Sequence, residues 1–237
     1  MTKDSAFRLG TMFVERFLDY AVYTHYTVLP DLLITILGSP DADVRKTAAQ
    51  QITLASFRYP EAQADLERVL ASDAVFRAAV AQVDAANLHV TECRKVCGAR
   101  LIRHFEDEAP EVRDAAARCF LQIRGDQLYE ESELISRFIA SSSFEANSYD
   151  LLHSLESAAA RLPDVVCRIA ERAAEIHRTK NENSPAHWWT SDMATLVLRL
   201  YEQTRDESIK ARCLNVIDNM IELGFGNIAG QLAKVER

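Results

Sequence analysis

Apolar positions recur along this chain in steps of four, four and three. Val44, Ala48, Ile52 and Ala55 form one set. Val112, Ala116, Phe120 and Ile123 repeat it 68 residues later, and Ile209, Cys213, Ile217 and Met220 repeat it again. Such steps bring side chains to one face of an α-helix, so each set predicts a helix with one buried stripe. The three stripes open alike, on Asp43-Val44-Arg45, Glu111-Val112-Arg113 and Ser208-Ile209-Lys210. Phe144, Ser148, Leu152 and Leu155 keep the spacing with one polar member, and Trp189, Met193, Leu196, Val197 and Leu200 form a further stripe.

Punctuation between the stripes divides the chain into helices. Gly38 stops one and Ser39-Pro40-Asp41 turns into the next, over 43–57. Tyr59-Pro60-Glu61 starts a helix to about Leu70, and Ser72-Asp73 caps another from Ala74. Further helices are predicted over 87–105, 110–125, 128–140, 163–178 and 209–223, with one that starts at Ser184-Pro185 and carries the Trp189–Leu200 stripe, and a short one closing the chain. Residues 179–183 are polar and form the clearest loop. The first segment, 6–26, carries Phe7, Phe13, Phe17, Tyr20, Tyr23 and Tyr26 and reads as an aromatic end cap or a partner-docking face.

The turns are short, which makes neighbouring helices antiparallel. Stripe starts at Val44, Phe76, Val112, Phe144 and Ile209 are spaced by 32, 36, 32 and 65 residues. One spacing accommodates two helices with their turns. The expected fold is therefore all-α, a right-handed α-solenoid of about five to six helix pairs, or roughly 11–13 helices. It is expected to be a single domain over 1–237, with a capping helix at 1–28, repeats over 29–178, and C-terminal repeats and cap over 184–237. One conflict stands: counting helices puts the Ile209 helix first in its pair, whereas its stripe resembles those of second helices.

At Pro-Asp-Ala-Asp-Val-Arg (40–45) and Ala-Pro-Glu-Val-Arg (109–113) the chain resembles the HEAT-repeat family. Those stretches look like the start of a HEAT unit's second helix, and Leu29–Leu37 and Val96–Phe105 look like first helices. The resemblance is clear over 29–58 and 96–125. It implies a binding scaffold and leaves function open. The stretch from Leu196 to the C-terminus is similar to tails that close long bacterial proteins with an ATPase core and helical repeats, including NTPases of the signal-transducing, antiphage type. No Gly-x-x-x-x-Gly-Lys-Ser/Thr motif occurs in this chain.

Composition agrees with helix: 48% of residues are hydrophobic, with 7 Gly and 6 Pro among 237. A net charge of −8 opposes general nucleic-acid binding. The five Cys show no disulfide-scaffold spacing, and Met1-Thr2-Lys3-Asp4-Ser5 has no basic-then-apolar leader. Both point to a reducing, cytoplasmic setting. No apolar run approaches the length of a membrane span.

Few residues suggest chemistry. His89, Cys93 and Cys97 lie on one helix face, but i, i+4 and i+8 positions span about 12 Å, too far for one zinc ion. They read as small packing residues, and no metal or cofactor is expected. Arg94, Lys95, Arg100, Arg103 and His104 form the densest basic cluster. It reads as a solvated face paired with Glu92, Glu106 and Asp107, or as a patch for an acidic partner or phosphate. Arg94, Arg100 and Arg103 are its candidate binding residues. Trp188, about 100° off the Trp189 stripe, is the candidate aromatic anchor. Asp150 with His153 and Glu175 with Arg178 read as surface pairs. No catalytic constellation emerges.

These features favour a non-enzymatic protein-interaction scaffold or sensor, with a protein as its partner. A narrower version is a segment of a bacterial defence or signalling system. The alternative is a HEAT-like enzyme, such as a DNA alkylation glycosylase or a phycobilin-type lyase. The Trp pair speaks for a glycosylase, and the negative charge speaks against it.

Overall fold

A computed structural model describes residues 16, 38–59, 62–64, 66–67, 73–123, 127–155, 158–179, 190–224 and 228–235. Among them all regular structure is helical, with no strand. None of the helices is long and apolar enough to cross a membrane. The chain divides into two compact units, Met1–Gln122 and Ile123–Arg237.

The first unit contains α1 (Ala42–Ser56), α2 (Ala74–Asn87), α3 (Thr91–His104), α4 (Pro110–Ala117) and α5 (Cys119–Gln122). Residues 62–64 and 66–67 are also helical. The helix starts are fixed by local chemistry. Asp41 Oδ1 accepts the amides of Asp43 and Val44 at 2.9 and 3.3 Å, and Asp73 Oδ1 accepts that of Val75 at 2.9 Å. These side chains satisfy first-turn N–H groups that have no partner within the helix. Pro110 opens α4, where its missing N–H costs nothing.

α2 lies at the centre of this unit, packed on α1, α3 and α4. α1, α2 and α4 carry the stripes that start at Val44, Phe76 and Val112, so the helices of that spacing pack on one another. Their stripes face the core: Ala48, Ala55, Val112, Ala116 and Phe120 are fully buried and Ile52 almost so. Val44 is half-buried. Phe120 stacks on Phe105, with ring centroids 6.1 Å apart.

The second unit contains α6 (Ser132–Ala140), α7 (Phe144–Leu155), α8 (Pro163–Thr179), α9 (Thr190–Gln203), α10 (Glu207–Glu222) and α11 (Ile228–Val235), with short 3₁₀ turns at Gln127–Tyr129 and Ala159–Arg161. α8 packs on α6 before it, on α10 after it, and on α9 between. α10, the Ile209 helix, packs on both α8 and α9 and on α11 after it. Cys213, Ile217 and Met220 on α10 are fully buried, as are Phe144 and Ser148 on α7. Phe138 and Phe144 meet edge-on at 5.8 Å, closing the α6–α7 turn.

Two predicted helices begin later than expected. The helix expected from Asn87 starts at Thr91, after a turn at 88–90. No Gly or Pro marks this turn. Its amide partner is Asn87, whose own side chain folds back onto the Val83 carbonyl at 2.8 Å, while Val90 N–H donates to the Asn87 carbonyl. The helix expected from Leu128 starts at Ser132, because residues 127–129 form a tighter 3₁₀ turn that buries Leu128.

Candidate functional site

The basic cluster on α3 does not form one surface. Cys97, Arg100, Leu101 and His104 stand at i, i+3, i+4 and i+7 and make the buried face of the helix. Arg100 is therefore interior, at 1% exposure. Its Nε and Nη2 donate to Asp84 Oδ2 and Oδ1 at 2.9 and 2.6 Å. Its Nη1 donates to Gln63 Oε1 at 3.2 Å and Ser56 Oγ at 3.4 Å, and the guanidinium lies 5.3 Å from the Phe57 ring centroid. Asp84 is itself fully buried. Burial pushes its carboxyl up to about 6, against the pull of Arg100 and of the Cys97 thiol. Arg100 is thus a core residue and not part of a binding patch, and its partner is Asp84, not the Glu92, Glu106 or Asp107 of the sequence reading.

The other members of the cluster diverge. Arg103 is exposed and donates to both carboxylate oxygens of Glu67 at 3.3 Å, and this hydrogen bond holds Glu67 below its usual range. Arg94 is half-buried and Lys95 exposed. His104 is buried, its Nε2 has no hydrogen-bond partner, and burial lowers its pKa to about 4. Asp107, expected to serve the cluster, instead takes a two-point hydrogen bond from Arg77 at 2.7 and 2.9 Å.

His89 is exposed, Cys93 half-buried and Cys97 buried with its thiol toward Asp84. Among the described residues no group of three or more His, Cys, Asp or Glu is placed to hold a metal. Trp188, Trp189 and the aromatic segment at 6–26 lie outside the described residues, Arg16 apart. So do the Trp pair on which the glycosylase alternative leaned and the predicted start at Ser184-Pro185.

A concave site does form in the second unit, between α7 and α9. Leu152 and Leu196 make its apolar floor, each 4% exposed. Tyr149 and His153, one turn apart on α7, form a wall. Their rings are parallel to within 2° with centroids 6.1 Å apart. Asp192, Thr195 and Arg199 of α9 supply the opposite rim. The groove encloses about 250 Å³, the size of one or two side chains rather than of an enclosed cofactor. Tyr149 is 51% exposed, which is unusual for a large aromatic on a helix.

Sequence reasoning named His153 only as half of a pair with Asp150, and the ring stacked on it is Tyr149. Glu175 accepts from Arg172 at 2.6 Å, and Arg178 donates to Asn219. The signal for the groove was available locally, in two aromatic rings four residues apart on the polar side of the Phe144 stripe. The α9 rim, some forty residues further on, was not.

The chain matches no protein-family model, no curated protein and no solved structure.

Proposed function

We propose that this chain is a non-enzymatic protein-interaction module, a right-handed solenoid of HEAT-like helix pairs that presents the α7–α9 groove to a protein partner in a cytoplasmic setting. The observation that carries the reading is the groove's composition. An apolar floor, a stacked aromatic wall and a rim of opposite charges are what a small recognition site for a peptide side chain requires. Packing between alternate helices in each unit supports the repeat architecture. The narrower reading, a sensor segment of a bacterial defence or signalling system, rests on the resemblance of 196–237.

The test is a pull-down from host lysate with the wild-type chain and with Tyr149→Ala and Arg199→Glu variants. A partner retained by the wild type and lost by both variants, with melting temperatures unchanged, is the expected result. Equal recovery by all three proteins moves the interaction away from the groove.

A further inference from the structure

The contact between α8 and α10 holds chemistry that the binding reading does not use. Asp164, Cys167 and Glu171 stand at i, i+3 and i+7 on one face of α8, and Arg212 and Cys213 are consecutive on α10. Arg212 reaches both ends of that face. Its Nη1 donates to Asp164 Oδ1 at 2.9 Å, and its Nε and Nη2 donate to Glu171 Oε1 and Oε2 at 2.8 and 3.0 Å. Further along the same two helices, Arg178 donates to Asn219. These ties fix the register of α10 on α8, with Cys167 between the two carboxylates that Arg212 clamps.

In that register Cys213 falls on Cys167. The two thiols hydrogen-bond each other, and both are buried, at 1% and 0% exposure. The contact with Cys213 and the nearby Arg212 guanidinium both favour the charged form of the Cys167 thiol. Of the other thiols, Cys93 is half-buried on α3 and Cys97 faces Asp84. Two buried thiols that meet across helices held in register can serve as an attacking and a resolving cysteine, and the guanidinium clamped on either side of Cys167 favours its thiolate.

We propose that Cys167 and Cys213 are a redox-convertible pair, which a diffusible peroxide closes into a disulfide joining α8 to α10. The Cys167 thiolate attacks one peroxide oxygen. The O–O bond breaks, a sulfenic acid forms on Cys167, and the released hydroxide takes up the thiol proton as water. Cys213 then attacks the Cys167 sulfur. The S–O bond breaks, the S–S bond forms, and a second water leaves with the Cys213 proton. Both sulfurs are oxidised and the two peroxide oxygens are reduced. Because the pair is buried, the oxidant enters when the α8–α10 crossing opens locally, and the rate follows that opening. In a reducing compartment the pair stays as thiols until peroxide rises, and a dithiol reductant reopens it. The inference does not depend on what the groove binds.

The experiment uses the full chain, reduced, desalted and exposed to hydrogen peroxide. Excess oxidant is removed with catalase, and the protein is denatured, alkylated and weighed intact. Of the five thiols, two are expected to escape alkylation, with a mass loss of two hydrogens. Proteolysis should yield one linked pair of peptides carrying Cys167 and Cys213. The oxidised chain should melt higher, and dithiothreitol should reverse the shift. In Cys213→Ser, Cys167 should be trapped as a sulfenic acid that a dimedone reagent labels. Wild-type protein that keeps five alkylatable thiols, or links other cysteines, overturns the proposal. So does oxidation of Cys167 to the sulfinic acid without a disulfide. The wild-type readout stands even if a serine variant fails to fold.

Discussion

Asp84 and Arg100 hold each other by two hydrogen bonds in the interior of the first unit, on helices α2 and α3, with side-chain exposures of 0% and 2%. A carboxylate and a guanidinium are costly to bury separately, and the two-point geometry makes the burial tolerable only as a pair. Gln63 and Ser56 bond the guanidinium's third nitrogen, so residues from three other helical segments converge on one cation.

Arg100→Met should therefore cost about 3–5 kcal/mol, because it leaves Asp84 buried without its cation. The double change Arg100→Met with Asp84→Leu should recover most of that loss. Urea melts of the single and double variants measure the difference. A single variant as stable as wild type would show that the pair is not buried as described.

Two buried groups near this pair titrate in opposite senses. Asp84 is raised to about 6, so its contribution to stability is present at low pH and lost as pH rises through 6. His104 is lowered to about 4, so its contribution is present above about 6.5 and lost as pH falls toward 4. Between pH 4 and 6 the two slopes oppose each other. In His104→Gln the His104 slope is removed and the Asp84 slope remains. The stability of wild type relative to this variant should fall on acidification by up to about 1.4 kcal/mol per pH unit. Urea midpoints at pH 6.5 and 4.5 read it. A constant difference between the two proteins would mean that His104 is not a buried neutral imidazole.

The stripes give a packing test in each unit. Phe120 and Ile217 are both at 0% exposure. Phe120→Ala should cost about 3–5 kcal/mol and Ile217→Ala about 2–5. Arg118 and Asn215, exposed on the same stretches, should tolerate alanine within about ±0.5 kcal/mol. Since the two cores belong to different units, calorimetry on Phe120→Ala and Ile217→Ala should show the loss in different parts of a composite transition. Phe120→Ala melting like wild type would show that its stripe faces no core.

Tyr149 and His153 should behave oppositely to Phe120. Both rings are exposed, so Tyr149→Ala and His153→Ala should shift stability by less than about 1 kcal/mol. The same variants should remove partner binding at the groove. Thermal melts and the pull-down on the same preparations separate the two effects. A large stability loss in Tyr149→Ala would make the ring pair a packing element.

Helix identity was legible because it is a local property. The 3.6-residue repeat of apolar side chains and an Asp or Pro at the first turn act within a few residues of chain. The stripes of α1, α4, α7 and α10, and caps such as Asp73, could thus be read directly. The turn at 88–90 was missed because no Gly or Pro marks it, and its bonds come from ordinary backbone groups and Asn87.

What the tertiary structure alone decided is which side chains of a given helix meet those of another. Arg100 sits at a core position of α3, but charge normally means surface, and only the carboxylate 16 residues earlier on α2 makes its burial tolerable. The α7–α9 groove and the Cys167–Cys213 contact likewise join residues about forty or more positions apart. Their register is set by packing and by the Arg212 clamp, not by any spacing along the chain. A periodic stripe says that a helix has an inner face. Which helix covers that face, and which polar groups are trapped beneath it, depends on long-range complementarity that one-dimensional order does not encode locally.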